Sequence, residues 1–262
     1  MRHSRWVIVH EPRPAASLRL LCLPHAGSSA AAFRWWNDRV PPDIEVMAVE
    51  YPGRGARMNE RCFVRLHALV AALVEDVRGL LTTPFAIYGH SLGALIGFEL
   101  ARQLELAGAA APRALAVAGC RGPRLRPRKR PIFALPDDQL IEELRTLGGM
   151  DPAVLGHEEL LQTMLPVLRA DLEMADTYAA RHTESTNLTV FVYGGANDED
   201  TPPEDLQAWT LETRQPPQVR IYPGNHFFVH TAVDQLLQDV VTDLRTAMDP
   251  ADHGAKAAGD AR

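Results

Sequence analysis

"FAIYGHSLGALIGFELARQL", Phe85 to Leu104, opens as an apolar β-rich run and continues as small and apolar residues at helical spacing. Between the two halves, Gly89 to Gly93 reads G-x-S-x-G, the pattern of a nucleophile elbow. An elbow holds its serine in a strained backbone conformation, so the residues two before and two after it must lack bulk. The helix that follows turns its first backbone N–H groups toward a reacting carbonyl oxygen. As a bare pentapeptide the pattern is weak. After "FAIY" and before "ALIGFELARQL" it has the strand–turn–helix context it requires, and Ser91 is the candidate nucleophile. The bland alternative is a tight turn.

Working outward, "RWVIVHE", "RLLCLP", "IEVMAVEYPG", "ALAVAG", "LTVFVYGG" and "QVRIYPG" add six strand candidates. Apolar residues at three- and four-residue spacing mark helices in "FVRLHALVAALVEDVRGLL", "LIGFELARQLELAG" and "DQLLQDVVTDLRTAM". Strands alternating with helices predict an α/β fold, a mostly parallel, doubly wound sheet. Residues 121–180 break the alternation. A basic, proline-spaced run is followed by "LPDDQLIEELRTLGG" and "GHEELLQTML" as short helices, then by "LPVLRADLEMADTYAA", with Pro166 suited to a helix first turn. An all-helical insertion between strands of such a sheet reads as a lid over the ligand-binding end. The expected organisation is a core of residues 1–120 and 181–248, a helical lid of 121–180, and a polar, disordered tail of 249–262.

Hydrophobic content of 46% and charged content of 23% in 262 residues describe a soluble domain that needs no staple. A net charge of -6 argues against nucleic-acid binding, which needs a basic face. Cys22, Cys62 and Cys120 are too scattered for a disulfide framework or a zinc site. With no signal peptide and no apolar run long enough to span a bilayer, the expected location is cytoplasmic, without membrane association.

A serine nucleophile needs a base, oriented in turn by a carboxylate, and in this fold the chain order is Ser, acid, His. Downstream of the elbow, before the tail that carries His253, lie His157, His182, His226 and His230. His226, in "IYPGNHFFVH", lies in the loop after the last strand and before the last helix, where the base of this fold belongs. His157 and His182 fall in or beside the helical insertion and His230 lies one helical turn further on, so His226 is the candidate base. The HxxxH spacing of His226 and His230 lacks the glutamate of a zinc-protease helix, and no metal is expected. For the acid, "ANDEDTPPEDLQAW" offers Asp198, Glu199 and Asp200; Asp198, at the turn leaving the strand, is preferred and Asp200 is the runner-up. The small-residue loop "HAGSSA" after an early strand lets backbone approach a substrate oxygen, which makes the N–H groups of Ala26 and Leu92 the candidate oxyanion hole. His25 reads as a hydrogen-bonding scaffold residue. Trp35, Trp36, Met164 and Met174 read as ordinary core.

"LPHAGSSAAAFRWW", "VEYPGRGAR", "YGHSLGALIGFELAR", "VYGGANDEDTPPEDLQAW" and "YPGNHFF" together resemble the free-standing type II thioesterases of polyketide and nonribosomal peptide assembly lines. The resemblance runs from about residue 20 to 245, and it aligns Ser91, Asp198 and His226 with that family's triad. It departs at Leu92, where the family commonly carries methionine; only the backbone N–H is needed there. The resemblance implies an α/β-hydrolase fold and hydrolysis of acyl groups from the phosphopantetheine arm of an acyl or peptidyl carrier protein, with no cofactor. It also gives the basic run "RGPRLRPRKRP" a role in docking an acidic carrier through Arg126 and Arg128, against the alternative of a solvated loop. A small-molecule carboxylesterase would share the triad, and only substrate preference separates the two.

Overall fold

The computed structural model describes residues 4–125, 131–148 and 157–248. Its centre is a seven-stranded sheet of β1 (Val7–Ile8), β2 (Leu18–Leu23), β3 (Ile44–Val49), β4 (Phe85–His90), β5 (Leu115–Ala118), β6 (Val190–Gly195) and β7 (Gln218–Tyr222). The strand order is β1-β3-β2-β4-β5-β6-β7; β1 pairs antiparallel with β3 and every other neighbour is parallel. This is the α/β-hydrolase fold class expected from the sequence.

The central strands β2 to β6 are buried on both faces, which is why they read as continuous apolar runs. Successive residues still serve opposite layers. Leu21, Leu23, Phe85, Ile87, Leu115 and Val117 join α1 (Leu66–Val77) and α2 (Leu92–Leu106) in one cluster. Leu20, Cys22, Ala86, Tyr88, Ala116 and Ala118 pack with the 3-10 segment Ala30–Trp36 and with the C-terminal helix in the other. That placement makes Cys22 and Cys120 buried free thiols, and burial pushes the Cys120 thiol up to about 12.

Between β5 and β6, the described residues form α3 (Asp137–Leu147) and α4 (Glu158–Asp176), packed on each other through Leu140, Leu144, Leu165 and Leu168. Two short helices, α5 (Pro203–Leu206) and α6 (Phe228–Thr231), and the long C-terminal α7 (Val233–Met248) follow. The expectation of two helices with Pro166 in the first turn of the second is corrected here. Pro166 lies inside one continuous helix. A mid-helix proline forfeits the hydrogen bond to the carbonyl four residues back, here Gln162. The apolar stripe of Leu161, Leu165, Leu168 and Met174 runs past it unbroken, and burying that stripe outweighs the lost bond. Trp35 is also corrected: it is 65% exposed, whereas Trp36 and Met174 are core.

The connectivity sets the ligand end. The chain steps from β2 to β3 in one direction, then returns over β2 to β4 and continues the other way, so β2 and β4 flank the topological switch point. The crevice at their C-terminal ends is where open α/β sheets bind ligands. The loops that leave those ends carry His25–Ser29 and Ser91. Among the described residues, no helix is long and apolar enough to cross a membrane.

Candidate active site

Ser91 leaves β4 with φ 52° and ψ −116°, and among the described residues it alone has positive φ without being glycine. The strain is held by packing that only glycine permits. A Cβ on Gly89 would lie 2.3 Å from the Gly93 carbonyl oxygen, and one on Gly93 would lie 2.1 Å from that of Leu23. The Ser91 N–H is anchored on the Ala118 carbonyl at the end of β5, 2.8 Å away. The glycine spacing of the motif is therefore a statement about how closely α2 meets β2 and β4.

Two further loops converge on this serine. His226 follows β7, with Nε2 3.0 Å from Ser91 Oγ and Nδ1 2.8 Å from Asp198 Oδ2. A carboxylate can only accept, so Nδ1 carries the proton and Nε2 is left to accept from the serine hydroxyl. Asp198, in the loop after β6, is 2% exposed; its other oxygen accepts the N–H groups of Asp200 (3.0 Å) and Thr201 (2.9 Å). The loops are clasped to each other by Ala196 N–H to the Tyr222 carbonyl and Asn197 N–H to the Gly224 carbonyl. The acidic stretch thus divides its work. Asp198 faces the imidazole, Glu199 is exposed, and Asp200 contributes its backbone to Asp198 while its carbonyl accepts from Arg121.

A layer of imidazoles packs behind His226. His90 Nε2 lies 3.0 Å from the His226 carbonyl oxygen, so that nitrogen is the donor; its Nδ1 must then accept from His25 Nδ1–H, 3.3 Å away. Burial holds His90 well below the usual histidine range, and desolvation, reinforced by His230 and His226, pushes His25 down to about 3. Both rings are neutral at pH 7. His25 is thus hydrogen-bonded to the scaffold and also reaches the cavity wall. His230 stacks on Phe227, and both ring nitrogens of His226 face Asp198 and Ser91.

Ser91 and His226 open onto a cavity of about 220 Å³ walled by aliphatic side chains of α2, α3 and α4, among them Leu95, Leu144, Leu168 and Leu172. Ala26 and Leu92 border it beside the serine. Arg126 and Arg128, the expected docking residues, lie outside the described residues, as does the tail 249–262. Two buried charged residues against this site escaped the sequence reading, Arg54 and Asp171, which pair with each other. The signals were an arginine held between glycines in "YPGRG" and a single acid interrupting the apolar stripe of α4.

A largely aliphatic cavity ending in this hydrogen-bonded chain fits nucleophilic acyl transfer, and comparison with known proteins points the same way. The family model described as "Thioesterase domain" matches residues 18–244. The gramicidin S biosynthesis protein GrsT of Aneurinibacillus migulanus is 35% identical over 247 residues, 94% of this chain and 96% of that protein. Among solved structures, the thioesterase RedJ from the prodiginine pathway of Streptomyces coelicolor superposes with a TM-score of 0.84 at 36% identity, covering 88% of this chain and 92% of that one. The type II thioesterase BorB from the borrelidin biosynthetic cluster gives 0.85 at 32% identity, covering 93% and 100%.

Proposed function

The chain belongs to the thioesterase family, alongside type II enzymes of polyketide and nonribosomal peptide biosynthesis, and on that premise we propose that it hydrolyses acyl thioesters carried on the phosphopantetheine arm of acyl or peptidyl carrier proteins. The observation that carries this reading is the chain Ser91–His226–Asp198 at the end of an aliphatic cavity.

In this mechanism Ser91 Oγ attacks the thioester carbonyl as His226 Nε2 takes the hydroxyl proton. Asp198 holds the Nδ1–H tautomer and stabilises the imidazolium. The N–H groups of Ala26 and Leu92 receive the oxyanion, each contributing about 2.7 to 4 kcal/mol to the transition state. Collapse breaks the C–S bond, and the pantetheine thiol departs with the proton from His226. A water molecule, deprotonated by the same imidazole, attacks the acyl-serine and releases the carboxylic acid and the Ser91 hydroxyl. The residues present supply every proton transfer.

Residues 121–180, with α3 and α4, act as the lid over the acyl chain, and residues 1–120 and 181–248 as the hydrolase core. An aliphatic wall discriminates by only about 1 to 3 kcal/mol per methylene, which suits an editing enzyme that accepts many acyl groups. Arg126 and Arg128 steer the acidic carrier to the cavity mouth. The test is intact-mass analysis of an acyl-loaded carrier incubated with the enzyme or its Ser91→Ala variant, with an aryl ester of the same acyl group in parallel. Loss of the acyl mass with the unmodified enzyme alone, faster than ester cleavage, is the expected result. Ester cleavage with an untouched carrier would instead make the protein a small-molecule carboxylesterase.

A further inference from the structure

Arg54, the arginine of "YPGRG", has no part in the mechanism above, yet it is buried beside it. Its guanidinium forms a two-pronged pair with Asp171 of α4, Nη1 to Oδ2 at 2.6 Å and Nη2 to Oδ1 at 2.8 Å. The side chains of the pair are 8% and 0% exposed. Arg54 also donates to the carbonyls of Ser28 (3.0 Å) and Pro52 (3.3 Å). Asp171 Oδ2 accepts a second bond, from the Gly27 N–H at 2.8 Å. One turn earlier on α4, Leu168 covers the same glycine so closely that a Cβ on Gly27 would lie 2.3 Å from Leu168 Cδ2. The segment His25–Ser28 is therefore gripped on the peptide just after Ala26 and again at Ser28, and the grip comes from a helix of the 121–180 segment.

Stability alone is a poor reason for this arrangement. A buried ion pair rarely outperforms apolar residues of the same volume, whereas it does fix geometry. The geometry fixed here is that of Ala26. Its N–H belongs to the peptide before the one that Asp171 holds, so locking Gly27 and Ser28 restricts the direction in which that N–H points. An oxyanion donor works only when it is aimed in advance at the place where charge develops.

We propose that Arg54 and Asp171 are positioning residues that aim the Ala26 N–H at the oxyanion, and that the oxyanion hole is complete only while α4 is docked on the His25–Ser28 loop. The proposal rests on the reading of Ala26 as an oxyanion donor.

The experiment compares the full chain with Arg54→Met/Asp171→Leu, which removes both charges and keeps the volume, and with Arg54→Lys, which keeps the charge and loses the fork. Three quantities are read for each: kcat and KM on a butyryl N-acetylcysteamine thioester, affinity for a trifluoromethyl ketone of the same acyl length, and the thermal midpoint. The ketone adds reversibly to Ser91 Oγ and forms a tetrahedral oxyanion, so its affinity reports the hole. In the double variant kcat should fall about tenfold to a hundredfold, short of the hundred- to thousandfold loss of a donor itself, with KM within about threefold and ketone affinity falling in step. A folded double variant with kcat near the unmodified value would overturn the proposal, and so would a loss of kcat without a loss of ketone affinity. If the double variant does not fold, Arg54→Lys decides, with a smaller fall in kcat and ketone affinity at an unchanged thermal midpoint; unmodified behaviour overturns. Failure of the underlying hydrolase reading shows elsewhere, as an inactive parent enzyme or as turnover that survives Ser91→Ala, and would overturn the proposal with it.

Discussion

His90 and His226 are joined by a hydrogen bond from ring to backbone: the His90 Nε2–H meets the His226 carbonyl oxygen at 3.0 Å, with His90 only 2% exposed. The variable position of the G-x-S-x-G motif thus supports the loop that carries His226. His90→Phe leaves that carbonyl without its donor in a buried site. It should lower unfolding stability by about 1 to 3 kcal/mol in denaturant titrations. A stability equal to that of the parent would show that the bond contributes nothing.

The imidazole layer also makes stability depend on pH. His25 and His90 titrate below their ordinary value in the folded protein, so the unfolded chain binds protons first as pH falls. Their contribution is fully present above the unfolded value of about 6.5 and is lost progressively below it, toward the folded value of about 3 for His25. The thermal midpoint should therefore drop between pH 7 and pH 5. It should drop less steeply in His25→Asn, whose amide N–H can replace the Nδ1–H given to His90. Parallel pH curves for the two proteins would refute this account.

Asp198→Asn should lower kcat by about ten-thousandfold, because an amide facing Nδ1 favours the wrong tautomer. Asp200→Asn keeps the N–H that Asp198 uses and should lose far less. Steady-state turnover of the same thioester by both variants separates the two carboxylates, and comparable losses would mean that the acid is shared.

Gly93→Ala places a Cβ 2.1 Å from the Leu23 carbonyl, and backbone there cannot step aside as a flexible side chain would. The variant should lose turnover together with about 2 kcal/mol or more of stability, the range of overpacked cores. Circular dichroism melts alongside the thioester assay give both readings.

Pro166 is exposed within α4, so Pro166→Ala should restore a helix hydrogen bond without reaching the cavity. The expected gain is about 1 to 3 kcal/mol, read as a higher thermal midpoint. A lower midpoint would show that α4 needs its interruption.

Much of this was legible in the chain itself. The seven strand runs and the three long core helices could be read because burial on one or two faces writes its period directly into the residues. Ser91 and His226 could be named because the elbow marks one and chain order with loop position the other; the acidic loop left Asp198 preferred over Asp200, and the hydrogen-bonded chain brings Ser91, His226 and Asp198 together. Pro166 misled the reading because propensity is local, while the stripe that overrides it is tertiary. Arg54 and Asp171 stayed hidden for a related reason. They are 117 residues apart, and a charge on an otherwise apolar face gives no sign of its partner until the fold supplies one.

The strand order has a consequence in time. Ser91 and His226 are 135 residues apart, so a ribosome working at about 5 to 20 residues per second makes His226 roughly 7 to 27 s after Ser91. The first five strands are contiguous in the sheet and only β6 and β7 remain to be added at one edge. A growing chain can therefore shape its elbow early while Ser91 still lacks a proton acceptor. Hydrolytic competence arrives only with the last strand and the loop that follows it, so a half-made chain holds the elbow without the imidazole it pairs with.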